Sequence, residues 1–199
     1  NVSWRYARSK NLSRYDALII ASMIERETAV ARERRLIAGV IYNRLKRDIP
    51  LGIDATTRYA EDNWTQPLTN AELNRDSPYN TRRNQGLPPT PIGNPGLASI
   101  RAAANPRRTG YLFYVVKPCA NGAHAFSKTD AQFQKDVAAY NAKREALGGR
   151  HEEEGDERDE EPSRLLEGPD QQDRERGGQD GLRAGQQAVM ALKYSPFPV

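Results

Sequence analysis

The sequence predicts an α+β fold: a helix-rich domain with a small antiparallel β element and a Pro/Gly-rich loop, followed by a disordered tail. Three observations carry this expectation. Apolar residues recur at helical spacing from Leu18 onward and again from Leu36 to Leu45. YLFYVVK at residues 111–117 has the composition of a strand, and HAFS at 124–127 can pair with it across the turn PCANGA. Beyond residue 150, HEEEGDERDEE opens a stretch of charge without hydrophobic period.

Composition sets the bounds. A chain of 199 residues, 37% hydrophobic and 28% charged, suits one ordinary domain plus something unusually polar. Residues 1–150 hold 24 Lys and Arg against 13 Asp and Glu, hence +11, and residues 151–199 hold 6 against 13, hence −7. A basic folded part calls for a polyanion or an anionic surface: nucleic acid, an anionic cell-envelope polymer, or lipid headgroups. The single cysteine, Cys119, excludes an internal disulfide and reads as packed or free in a turn, with Lys117 nearby. No run reaches the length of a membrane span or resembles a signal-peptide core.

Residues 1–14 are polar and basic, with Trp4 and Tyr6, and read as a lead-in from a preceding region. Ser13, three residues before Asp16, marks a capping-box-like helix start. At about 100° per residue, Ile19, Ile20, Met23, Ile24, Val30 and Ala31 form one stripe. Glu27 falls near its middle, and Glu25 on nearly the opposite face. Burial disfavours the charged carboxylate, so the pKa of Glu27 should rise, as a general acid near neutral pH requires. The spacing leaves a second role open, a carboxylate paired with Arg26, Arg32, Arg34 or Arg35 at the edge of the core.

Leu36, Ile37, Val40, Ile41 and Leu45 restore a helical stripe that ends before Pro50, so residues 16–45 read as a helical hairpin or one kinked helix. Asn43 lies on its polar face by spacing alone. PLGIDATTRY at 50–59 places Asp54 where it would cap a short helix or face a substrate, capping being its ordinary role. Thr69 and Glu72 form a second capping box, opening a short helix through Leu73. Residues 77–96, SPYNTRRNQGLPPTPIGNPG, are too rich in proline and glycine for helix or central strand and form a stiff, shaped loop. It carries Tyr79, Asn80, Thr81, Arg82 and Arg83, groups suited to sugars or phosphates. Asn94 and Pro95 then read as cap and first residue of a helix to about Ala104. His124 opens the second strand, usually a structural position. Thr129 and Gln132 make a third capping box for a helix whose buried face is Phe133, Val137 and Tyr140 and whose end is Gly148–Gly149.

Several chemistries are absent from this pattern. There is no phosphate-binding GxxxxGK[ST] or GxGxxG loop and no Gly-x-Ser-x-Gly elbow, and two histidines with one cysteine cannot build the common zinc sites. One helix-borne glutamate facing a polar, aromatic, proline-braced loop remains, a pattern that fits acid catalysis on a carbohydrate without metal or cofactor.

ASMIERETAV at 21–30, IYNRL at 41–45, IDATTRY at 53–59, SPYNT at 77–81, GLPPTPIGNPG at 86–96, YLFYVVK and HAF occur in an order that resembles the YceG-like endolytic murein transglycosylases. The likeness covers about residues 15–147, so that residues 15–149 form the catalytic domain and 150–199 an acidic, low-complexity tail. It implies non-hydrolytic cleavage of the β-1,4 bond between N-acetylmuramic acid and N-acetylglucosamine within a peptidoglycan strand, leaving a 1,6-anhydromuramyl end. The second glutamate of Glu-x-Glu-Thr, Glu27, corresponds to the catalytic position. Glu25, Asn43, Asp54, Tyr79, Asn80 and Thr81 match motif positions and are expected to orient substrate around the cleft. Relatives carry an N-terminal membrane anchor and a small LysM-like subdomain, which implies a cell-membrane location with the catalytic domain on the extracytoplasmic side, near cell-wall synthases. Alternatives from the residues alone are a hydrolytic muramidase with Asp54 as base, a non-catalytic cell-wall binding module, and, last for want of a reader motif, a nucleic-acid binder.

Overall fold

The computed structural model describes residues 2–28, 30–118 and 120–153. Its elements in chain order are α1 (Arg5–Arg8), α2 (Arg14–Glu27), a 3-10 turn (Ala31–Glu33), α3 (Arg34–Leu45), α4 (Asp54–Glu61), α5 (Asn70–Asn74), α6 (Leu97–Ala104), β1 (Phe113–Val116), β2 (His124–Ser127) and α7 (Asp130–Glu153). The expected α+β class holds: helices surround a two-stranded antiparallel hairpin.

The capping logic of the sequence is realised at two helices. Ser13 accepts from the Asp16 N–H while Asp16 accepts from the Ser13 N–H, and Thr69 and Glu72 do the same for α5. At α7 only half a box forms, the Gln132 N–H reaching Thr129 Oγ1 at 3.4 Å. The Ile-rich stripe of α2 is buried with Ile37, Val40 and Ile41 of α3 and with Ala102 and Ala103 of α6, and these three helices form the core. The hairpin pairs Phe113 with Ser127 and Val116 with His124, and α7 lies on it, Phe133 stacking on Phe113 at 5.1 Å.

Several expectations need correction. Of the two readings of residues 16–45, the two-helix one is realised and the single kinked helix is not: Thr28 turns extended (φ −148°, ψ 133°), its Oγ1 accepts from the Val30 N–H at 2.9 Å, and α2 ends at Glu27. Val30 therefore leaves the stripe. The lead-in is not idle, since α1 buries Ala7 and sets Tyr6 edge-on to Tyr42 at 5.0 Å. Helix α6 starts at Leu97, two residues later than Asn94–Pro95 suggests, with Gly96 as N-cap. Asp54 is the first residue of α4 and does not cap it; Ile53 occupies the N-cap without a side-chain bond. Helix α7 runs through Gly148 and Gly149 to Glu153, because two glycines each cost a helix only about 1 kcal/mol and good helix formers flank them. Cys119 and the tail from residue 154 lie outside the described residues.

One contact fixes the loop behind α6. A Cβ built on Gly39 of α3 would stand 2.4 Å from the backbone oxygen of Arg107, and the Arg107 N–H donates to Arg35 O at 2.8 Å. Gly39→Ala should therefore destabilise the fold by about 2 kcal/mol. A lower denaturant midpoint at unchanged m-value would report it; a midpoint equal to the parent's would show that this loop yields freely.

Candidate active site

Glu27 is the last residue of α2, and its side chain is 6% exposed. Tyr114, fully inside β1, donates its hydroxyl to Glu27 Oε2 at 2.6 Å, while Oε1 is buried without a geometrically sound hydrogen bond among the described residues. Burial pushes the pKa up to about 8, and the nearby charge of Asp54 adds to the rise. The Tyr114 hydroxyl, the Arg82 charge and the Ala55 backbone N–H pull the other way and do not cancel it. The negative end of the α2 dipole further disfavours an anion here. A buried carboxyl that keeps its proton at neutral pH is a poised proton donor.

Asp54 supplies the contrasting environment. It stands at the first turn of α4, where the helix dipole favours negative charge, and forms an ion pair with Arg82 from the proline-rich loop. A neutral acid, a carboxylate and a guanidinium thus share one small site. Behind it, His124 anchors β2: its backbone N–H and Nδ1 both meet the buried Glu33 carboxylate, Nδ1 at 2.8 Å, and its ring touches Tyr114 edge-on at 5.4 Å. Arg26, beside Glu27, lies over Trp64 with 4.3 Å from guanidinium carbon to ring centroid.

The remaining motif residues mostly shape the scaffold. Glu25 Oε2 accepts from the Gly96 N–H at 3.0 Å, which caps α6; the Ser99 side chain, with that N–H and Arg34 and Arg26, holds its pKa below the usual value. Asn43 donates to the Thr109 and Tyr111 carbonyls, both at 2.9 Å. Asn80 is buried and spends its amide on the Leu73 and Arg75 carbonyls and on the Arg82 N–H. Thr81 Oγ1 accepts from the Ile53 N–H at 3.0 Å and pairs with Thr56 Oγ1. Tyr79 bonds Thr90 through its hydroxyl and packs against Tyr59 at 5.0 Å on a partly exposed rim. The structure therefore brings Glu27 and Asp54 together and leaves Glu25, Asn43, Asn80 and Thr81 engaged with backbone. Sequence reasoning did not single out Tyr114, whose place between Phe113 and Val115 looks like ordinary strand core, and it noted Arg82 only as a loop cation. Among the described residues no group of three His, Cys, Asp or Glu could hold a metal ion.

Two outcomes follow from the geometry. Folded Glu27 keeps its proton to about pH 8 whereas the unfolded chain releases it near 4.5, so this group removes stability as pH rises between those values. Glu27→Gln should therefore gain stability over the parent between pH 5 and 9, by an amount on the order of 4 kcal/mol. Denaturant titrations at both pH values test this, and a pH-independent difference would mean a carboxyl that is ionised in the fold. Asn80→Ala should cost about 2 kcal/mol, because the buried Asn80 amide joins the Leu73 and Arg75 carbonyls and the Arg82 N–H at once; an unchanged melting temperature would free Asn80 for contact with a ligand.

Comparison with known proteins gives the family. A model of the YceG-like family matches residues 2–139. An endolytic murein transglycosylase of Bacillus subtilis (strain 168) is 39% identical over 133 residues, covering 67% of this chain and 36% of that protein. Another so named, from Streptococcus pneumoniae (strain ATCC BAA-255 / R6), is 41% identical over 147 residues, covering 70% of this chain and 26% of its own length. The chain thus spans about a third of the relatives it matches. The crystal structure of a YceG-like protein from Listeria monocytogenes superposes with a TM-score of 0.59 at 38% identity, over 66% of this chain and 41% of the other. With the family model matching residues 2–139, well over half of its length, this chain belongs to the YceG-like family.

Proposed function

We propose that this chain is an endolytic peptidoglycan lytic transglycosylase with Glu27 as its acid and then its base. The observation that carries the reading is the buried Glu27 carboxyl, protonated to about pH 8 at the end of a helix beside an Asp54–Arg82 ion pair. The names of the relatives support the substrate and reaction class.

In the first step Glu27 gives its proton to the glycosidic oxygen as the bond to the muramyl C1 breaks, and positive charge develops at that carbon. Asp54, a carboxylate close enough to act on Glu27, stabilises that charge, and Arg82 holds Asp54 in place. The muramyl C6 hydroxyl then attacks C1, and Glu27, now charged, takes the hydroxyl proton. The acid is regenerated and no water is consumed. Tyr114 steadies the carboxylate between the two steps by donating to Oε2. In the same reading the domain works on the extracytoplasmic side of the cell membrane, near cell-wall synthases, held by an anchor outside the described residues.

The proximity of Asp54 also favours a second reading. With a water between it and the sugar, Asp54 could serve as base for hydrolysis, making the protein a muramidase. Mass spectrometry of un-crosslinked peptidoglycan strands separates the two: anhydromuramyl ends are expected, and reducing muramic ends would replace the first reading by the second. Glu27→Gln should lower the rate at least about 100-fold; cleavage at the parental rate would remove Glu27 from the chemistry, and binding without cleavage by either protein would leave a wall-binding module. The rate should fall as pH rises above about 8, where Glu27 loses its proton. In Tyr114→Phe that limb should move to higher pH, since the lost donor favours the anion; an unmoved limb would mean that another group sets it.

A further inference from the structure

The reaction above leaves unused a set of exposed cations around α1 and the end of α6. Lys10 Nζ and Arg108 Cζ each lie 5.7 Å from the Tyr6 ring centroid. Arg35 Nε donates to Asn105 O at 2.8 Å, and the Arg107 N–H to Arg35 O at the same distance. Arg5 and Arg8 share α1 with Tyr6, and α1 packs on α6, which carries Arg101 one turn before Asn105. All of these cations are exposed. The ion pairs among the described residues, Arg75–Glu61, Arg82–Asp54 and His124–Glu33, use none of them. Asp16, on the adjoining turn, is already held by the Ser13 N–H and hydroxyl.

Uncompensated like charges repel, and a polyanion relieves that repulsion. The groups present narrow its chemistry. Guanidinium forks match carboxylates with two bonds, and the partly exposed Trp4 and Tyr6, with Tyr15 at 52% exposure, offer aromatic faces to sugar rings. A bilayer fits less well: α1 has four residues and turns its apolar Ala7 inward, so it offers no apolar face for insertion. Helix α2, with 14 residues, runs about 21 Å from its start, next in sequence to α1, to Glu27. A polymer cut in its interior is long enough to reach both.

We infer that this face is a second contact for the strand that Glu27 cuts, its arginines taking the carboxylates of the stem peptides. The inference rests on the proposed peptidoglycan substrate. It predicts an exosite that contributes to binding of long, peptide-bearing strands and not to cleavage of short ones.

The test uses the 199-residue chain. Glu27→Gln, as a non-cutting background, is co-sedimented with intact sacculi and with sacculi whose stem-peptide carboxylates have been converted to amides by carbodiimide and ammonia, at rising NaCl. Arg5→Glu with Arg8→Glu and Arg108→Glu in that background should bind intact sacculi about tenfold more weakly at low salt. Arg→Gln at the same positions should give an intermediate loss, and high salt should erase both differences. Amidated sacculi should hold the unmodified face as weakly as intact sacculi hold the charge-reversed one. Equal retention of all variants, undiminished binding to amidated sacculi, or stronger transfer to phosphatidylglycerol vesicles than to sacculi would each overturn the inference. Cleavage of short soluble strands by the charge-reversed protein with Glu27 restored should match the parent. If those strands are cut while sacculus binding is unchanged, the exosite fails and the proposed chemistry stands; if the parent cuts nothing, the chemistry fails by itself.

Discussion

The constraint on which this fold turns is that the Glu27 carboxyl must stay out of water at the C-terminal end of α2. Water would return its pKa to the ordinary range, and the helix dipole makes the anion costly at that end. Exclusion needs walls on every side. The hairpin supplies one through Tyr114, which also provides a single donor, and the first turn of α4 supplies another through Ala55 and Asp54. The hairpin has only two strands and would be marginal alone, so it is clamped from behind by α7 through Phe133 and from the linker after Glu27 by the Glu33–His124 contact. The turn that ends the Glu27 helix thus carries the residue that fixes the strand register opposite it.

The proline-rich loop solves a different problem. Prolines lack donors and the loop has no helix or strand of its own, so beyond its internal turn bonds residues 77–96 take partners from neighbouring elements. Ser22 of α2 accepts from the Ile92 N–H, Glu25 accepts from the Gly96 N–H, and Thr81 joins the loop to the start of α4. Asn80 folds the loop onto the end of α5. These bonds deliver the Arg82 guanidinium to Asp54. Motif residues that look like ligand-binding groups in a linear sequence are here largely the means by which a loop without secondary structure is held in one shape.

Charge is handled in two opposite ways along α2. At its end, charge is removed: Glu27 is neutral, and Asp54 is matched by Arg82. Around α1, positive charge accumulates on the surface beside Tyr6, and among the described residues none of these cations is in an ion pair. A low-dielectric site favours proton transfer, whereas solvated cations act over a Debye length on a polyanion. The helix keeps these two environments apart.

Local rules carried much of this architecture. Capping boxes at Ser13 and Thr69, the stripes of α2 and α3, the strand composition of residues 113–116 and the proline content of 77–96 are each decided by neighbours in sequence, and each was legible there. Glu27 was legible for the same reason, as a carboxylate on an apolar stripe. Less legible were ends and partners. The stop at Thr28 depends on a side-chain bond that competes with helix, and α7 passes two glycines because intrinsic cost is only one contribution to a helix. Tyr114 and Arg82 meet Glu27 and Asp54 across separations of 87 and 28 residues. The sequence by itself determined which segments fold and which acid is buried, since periodicity and capping are local properties. Which hydroxyl and which guanidinium meet that acid was decided only by tertiary structure, because a pKa responds to distance in space and to lost hydration, and neither is written in the order of residues.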